Sequence, residues 1–269
     1  MEHNGLFWRR FGHILRDGGG YSASKWCVRP AVKTGPKEPM ERRQFMLGCA
    51  AAVAMSPLAA RAGARPHYYG RARLVDAGGR PIKAAELPSE RNFIFHYPFA
   101  GTPCFLLNLG KPTRPAAELK TASSDTYRWS GGVGPAHSVV AYSAICAHRM
   151  TYPTREISFI SYRAERTPQN RFAHVIHCCS EHSQYDPAEG ARVVAGPAPQ
   201  PLAAILLDHD AATDALYAIG TLGGEMFGEF FSKYEFRLTL EHNGHAHDPV
   251  RGSCMVSELS EYCRQQVKC

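Results

Sequence analysis

The stretch that decides the fold is Val139-Val140-Ala141-Tyr142-Ser143-Ala144-Ile145-Cys146-Ala147-His148. Its uncharged opening, rich in β-branched and aromatic residues, reads as a buried strand that runs straight into a Cys-x-His pair. A second apolar run, Phe172 to Ile176, leads to Cys179-Ser180-Glu181-His182, so the pattern is C-x-H, 30 intervening residues, then C-x2-H. Two Cys and two His offered by two loop tips can hold either a tetrahedral zinc ion or an iron–sulfur centre. Zinc fingers group Cys with Cys and His with His. One thiolate and one imidazole per loop suits a two-metal cluster, because each loop can give its Cys to one iron and its His to the other.

Moving outward, the chain has 269 residues, with 31 Lys+Arg against 24 Asp+Glu and a formal charge of +7. Nearly all of that excess sits before residue 65, and the remainder of the chain sums to +1. The body therefore carries no basic field that would steer it onto a polyanion, and no nucleic-acid partner is expected. The 44% hydrophobic content excludes a disordered tail, and nine Cys in 269 residues are too sparse for a disulfide knot.

Residues 40–64 begin with Met40-Glu41-Arg42-Arg43, continue through an apolar run from Phe45 to Met55, and end in Ala60-Arg61-Ala62. A charged start, a short apolar run and an A-x-A site describe an export signal. Arg42-Arg43 followed by Phe45 resembles the twin-arginine type, which implies a periplasmic protein. If uncleaved, residues 46–60 would make only a marginal membrane anchor at the inner membrane, because spanning needs about 20 apolar residues. Residues 1–39 show no sustained period and read as a disordered or misassigned extension ahead of a natural start at Met40.

Short apolar runs follow between Gly and Pro punctuation: Phe93 to Tyr97, Cys104 to Leu109, Leu202 to Leu207, Leu216 to Ile219 and Tyr234 to Leu240. The expected fold is mainly β over 65–269: an antiparallel base domain, a cluster-binding subdomain inserted over about 138–206, and a short C-terminal helix within Met255 to Val267. Gly131-Gly132-Val133-Gly134 has no helix after it and reads as a turn rather than a phosphate loop. Glu241 to Asp248, with His242 and His245, reads as an exposed polar loop rather than a second metal site.

The chain resembles Rieske proteins, whose [2Fe–2S] cluster has two Cys on one iron and two His on the other. Val139 to His148 follows the family's first box, and Cys179 through Ser183-Gln184-Tyr185-Asp186 follows the second. Gly196-Pro197-Ala198-Pro199-Gln200-Pro201-Leu202 follows its proline loop, and the resembling stretch runs from about Ser130 to Leu206. The resemblance implies one [2Fe–2S] cluster per chain, held by Cys146, His148, Cys179 and His182 and covered by a lid at Gly196, Pro197 and Pro199. It also implies no catalytic residue of the chain's own: an electron-transfer subunit rather than a stand-alone enzyme. Two neutral imidazoles in place of thiolates make such a site less negative and raise its potential. Ser183 and Tyr185 match positions where relatives place hydroxyls on cluster sulfurs, which implies the high end of the range, roughly +100 to +300 mV.

The implied partners are a cytochrome or other redox protein, and a quinol-oxidising or molybdenum-containing subunit, as in quinol:cytochrome c reductase or arsenite oxidase. Alternatives are a structural zinc protein using the same ligands and a low-potential oxygenase ferredoxin. The sequence departs from the family in three ways. The two extra Cys that brace the boxes are replaced by Thr151 and Glu181. The Gly between the ligand His and the Ser is missing. Cys178 adjoins Cys179 and would make the spacing C-x3-H, so the family spacing selects Cys179. In an oxidising compartment Cys104, Cys254, Cys263 and Cys269 are free to pair, and a bridge pinning the C-terminal tail is expected.

Overall fold

The computed structural model describes residues 63–114, 117–167 and 171–269. The expectations for residues 1–39, the export signal up to Ala62 and the anchor at 46–60 lie outside the described residues. Among those described, no helix is long and apolar enough to cross a membrane.

The described chain is mainly β, as the sequence predicts. Its first strands are β1 (His67–Val75), β2 (Phe93–His96), β3 (Pro103–Asn108), β4 (Ala117–Lys120), β5 (Thr126–Trp129) and β6 (Val139–Ser143). Next come β7 (Ile157–Ser158), β8 (Ile160–Arg163), β9 (Val175–Cys178), β10 (Ser183–Asp186) and β11 (Arg192–Ala195). The last are β12 (Ala204–Asp210), β13 (Ala215–Leu222), β14 (Gly252–Met255), β15 (Ser257–Glu258) and β16 (Gln265–Gln266). An eight-stranded sheet runs β14-β1-β13-β12-β6-β3-β2-β15, and a four-stranded sheet runs β11-β10-β9-β8. Strand β6 pairs directly with β12 through Tyr142 and Ala204, so the smaller sheet, lying between them in the chain, is an insertion into the larger one.

Every residue of β6 is buried, because both faces of the large sheet are covered. Val140, Tyr142 and Ala144 enter one core with Phe105, Leu107, Ile160, Ile176 and Tyr185; Val139 and Ala141 enter another with Leu74, Phe95 and Leu106. The period-two alternation of β3 and β6 thus sorts side chains between two cores. The first core is shared with the inserted sheet. Tyr142 ties the two together: it is fully buried, and its hydroxyl donates to the Pro187 carbonyl at 2.7 Å.

One sequence expectation is corrected. Tyr234 to Leu240 is not a strand but part of helix α1 (Phe227–Glu241). Alternating Tyr234, Phe236, Leu238 and Leu240 mimics a strand, yet Phe236 and Leu240 are 80% and 64% exposed. The buried set is Phe227, Phe230, Phe231 and Leu238, which follows the helical period and packs on Ile145 and Tyr152. The expected short C-terminal helix is the single turn α2 (Leu259–Tyr262), and the chain around it pairs as β14, β15 and β16.

Candidate metal centre

The first loop leaves β6 at Ser143, where the Ser143 hydroxyl accepts the Ile145 N–H at 3.3 Å. Cys146 N–H donates to Thr151 O and Met150 N–H to Cys146 O, each at 2.8 Å, closing the loop as a compact knuckle. The Cys146 sulfur is fully buried and accepts the backbone N–H groups of His148 and Arg149. His148 is half-buried, and its Nδ1 is buried with no hydrogen-bond partner.

The second loop is the turn from β9 to β10, whose register pairs Ser183 with Cys178 and Tyr185 with Ile176. Those four side chains therefore share one face, toward the thiol of Cys146. The Cys178 sulfur accepts the N–H groups of Ser180 and Glu181, and its own thiol donates to the Cys146 sulfur. That bond, then the Tyr185 hydroxyl and the two loop N–H groups, hold the Cys146 thiol below its ordinary range against the effect of burial. Cys178, which keeps the shared proton, moves the other way. The Tyr185 oxygen lies 3.2 Å from the Cys146 sulfur and accepts the Ala147 N–H at 3.1 Å. The Ser183 hydroxyl is buried in the same wall with no partner.

The proline loop meets this turn at Gly196, whose φ is +86°. A Cβ there would lie 2.4 Å from His182 O and 2.5 Å from Ser183 Cα, so only Gly permits the approach. Pro197 and Pro199 are exposed on the outer side of the loop, while Ala198 packs on the core.

Two sequence-predicted ligands are not at the thiol pair. The sulfur of Cys179 is bonded to that of Cys269, with Cα atoms 5.7 Å apart, so it offers no thiolate. The second thiol facing Cys146 is Cys178. His182 is also displaced: its ring packs 5.7 Å from that of His177, which alternates with Cys178 and so points off the opposite face of β9. His177, His182 and Cys269 bring their donor atoms within 4.8 Å of one another there, with the Cys269 sulfur held in the disulfide. Burial, with His182 and Arg163 nearby, lowers the His177 pKa to about 4. The structure therefore brings together Cys146, His148, Ser183 and Tyr185, and sets Cys179 and His182 on the far side of a strand. The sequence carried a signal of this: the second box is one residue short when counted from Cys179, and counting from Cys178 removes the deficit.

The tail is pinned, as expected, though by Cys269 rather than by a pair within the tail; Cys104, Cys254 and Cys263 are buried free thiols. In the Glu241–Asp248 loop, His245 pairs with Asp248 at 2.8 Å, His247 with Glu235 at 3.0 Å, and His242 packs on His96. Three histidines with three separate partners do not converge on a metal. Val133 and Val139 exchange backbone hydrogen bonds, so the Gly131–Gly134 stretch is a turn into β6.

No family model matches the chain. Among solved structures, the soluble domain of the Rieske protein II (soxF) from Sulfolobus acidocaldarius is similar, with 26% identity, 59% of this chain and 82% of that chain covered, and a TM-score of 0.40.

Proposed function

We propose that the two loops hold a [2Fe–2S] cluster of the Rieske kind and that the protein is a one-electron carrier. The observation that carries this reading is the Cys146–Cys178 pair: two buried free cysteines from different loops share one core, and backbone N–H groups of each loop favour its thiolate. Such N–H groups stabilise thiolates in a dry site, where an unpaired charge would otherwise be costly. The donor set fits the cluster at further points. His148 Nδ1 and the Ser183 hydroxyl are buried without partners, the condition of groups that meet an iron and a cluster sulfur. When bound, the cluster supplies one-electron chemistry.

The chain's own residues do the rest. Cys146, Cys178 and His148 would hold the cluster, the two thiolates from the core and the imidazole from the half-buried first loop. Tyr185 holds a hydroxyl on the Cys146 sulfur and Ser183 aims one into the same space, each favouring the more negative, reduced state. Gly196 brings the proline loop against the second knuckle and shields it from water.

The proposed setting is an exported respiratory oxidoreductase, of the quinol:cytochrome c reductase or arsenite oxidase kind, in which the protein passes electrons to a cytochrome or other redox partner. What supports this is the twin-arginine-like stretch at Arg42-Arg43. Anaerobic purification with metal analysis and EPR tests the cluster: two irons per chain and a spin-half signal on reduction are expected. A colourless protein loaded with zinc would sink the reading in favour of a structural zinc site.

A further inference from the structure

The two loops treat their sulfurs alike. Cys146 and Cys178 enter the same buried core, and in each loop the N–H groups of the second and third residues after the cysteine, His148 and Arg149 or Ser180 and Glu181, favour its thiolate. Equivalent backbones leave the side chains to differ. The first loop presents an imidazole, His148, and the second presents an exposed hydroxyl, Ser180, followed by a carboxylate, Glu181. That carboxylate is directed at the first loop, with Glu181 Oε1 3.8 Å from Arg149 Nε. The imidazole that follows it, His182, is turned to His177 and Cys269 on the other face of β9.

Resting on the cluster reading above, the geometry points to Glu181 as the fourth ligand, giving a donor set of two thiolates, one imidazole and one carboxylate: Cys146, Cys178, His148 and Glu181. Counted from Cys178, Glu181 stands at the C-x2 spacing where the resemblance calls for an imidazole. His182 then takes the place of the missing Gly before Ser183, and it has the left-handed backbone that a Gly would adopt there, at φ +58°. One register thus accounts for the adjacent cysteines, the short second box and the displaced imidazole.

The substitution has a direct electrostatic consequence. A carboxylate in place of a neutral imidazole makes the site one charge more negative and opposes the incoming electron, so the potential falls below that of a two-imidazole centre. With this donor set the potential lies below the high end of the range, which rests on two imidazoles. Arg149 beside Glu181 offsets part of the added charge, more weakly because its side chain is 67% exposed.

The test is pulsed EPR on the full chain, purified anaerobically, reduced, and carrying nitrogen-15 histidine. One iron-bound ring nitrogen is expected in the natural protein, and the same count in His182→Ala. Glu181→His should add a second bound nitrogen and raise the midpoint potential, and Glu181→Ala should alter the signal. Two bound ring nitrogens in the natural protein, one of them lost in His182→Ala, would overturn the assignment, as would a Glu181→Ala signal and potential identical to the natural ones. Both results leave the cluster reading standing. A natural protein with no spin-half signal removes the cluster, and the assignment with it.

Discussion

Cys178 shares a buried core with Cys146 from the other loop, while the next residue along the chain, Cys179, is bonded to Cys269 on the opposite side of β9. Iron content should follow that division. Cys178→Ser is expected to abolish the EPR signal and the bound iron, whereas Cys179→Ser should keep both. A protein that retained its iron without Cys178 and lost it without Cys179 would restore the original register.

The Cys179–Cys269 bridge closes a loop of 90 residues and fastens the C-terminal tail to the end of β9. Closing a loop of that size restricts the unfolded chain, and loss of such a bridge costs about 2–4 kcal/mol. Cys269→Ser should lower the urea midpoint by the corresponding amount and leave the EPR signal in place. An unchanged midpoint would mean that tail pairing through β16 and β7 holds the structure alone.

Tyr185 contacts the Cys146 sulfur at 3.2 Å and Ser183 lies buried on the same face without a partner. Removing either hydroxyl, by Tyr185→Phe or Ser183→Ala, withdraws a donor that favours the reduced state. Redox titration should show a fall of tens of millivolts for each, without a change in the number of bound nitrogens. A rise in either variant contradicts this account of the site.

Gly196 sits at φ +86° with no room for a Cβ against His182 and Ser183. Gly196→Ala imposes left-handed strain worth about 1–3 kcal/mol and pushes the proline loop off the second knuckle. Lower thermal stability and faster loss of iron in air are expected together. Loss of stability with unaltered iron retention would confine the loop to a structural role.

His96 is packed against His242 and Tyr262 at the edge of the large sheet. Burial first, then His242 and Arg155, lowers its pKa from 6.5 to about 3. The unfolded chain therefore takes up the proton first. His96 favours folding fully above pH 6.5, and that contribution declines as pH falls from 6.5 toward 3. The limit is about 1.4 kcal/mol per pH unit, reduced by the partial exposure of the ring. Urea midpoints measured at pH 7.5 and pH 5 should differ less in His96→Gln than in the natural protein. Parallel shifts in both would place the acid sensitivity elsewhere.

Much of the fold was legible because its signals are local. The run Val139 to Ile145 has the unbroken apolar character of a strand covered on both faces, and it is one. Helix α1 was misread because Tyr234, Phe236, Leu238 and Leu240 satisfy a two-residue period as well as a helical one. Only the exposure of Phe236 and Leu240 against the burial of Phe230 and Phe231 separates the two readings. The short helix of the tail was legible too, whereas the strands around it are held by β1, β2 and β7, partners that no window of the sequence contains.

Within the site, spacing and strand period are properties of the chain alone, and they place thiol and imidazole chemistry on two loops that follow buried strands. Which of two adjacent cysteines turns inward was decided by the tertiary structure. Successive side chains on a strand point to opposite faces, and a local pattern does not say which face is the core. Pairing Ser183 with Cys178 settled that face, and Cys269, arriving from the far end of the chain, claimed Cys179 on the other.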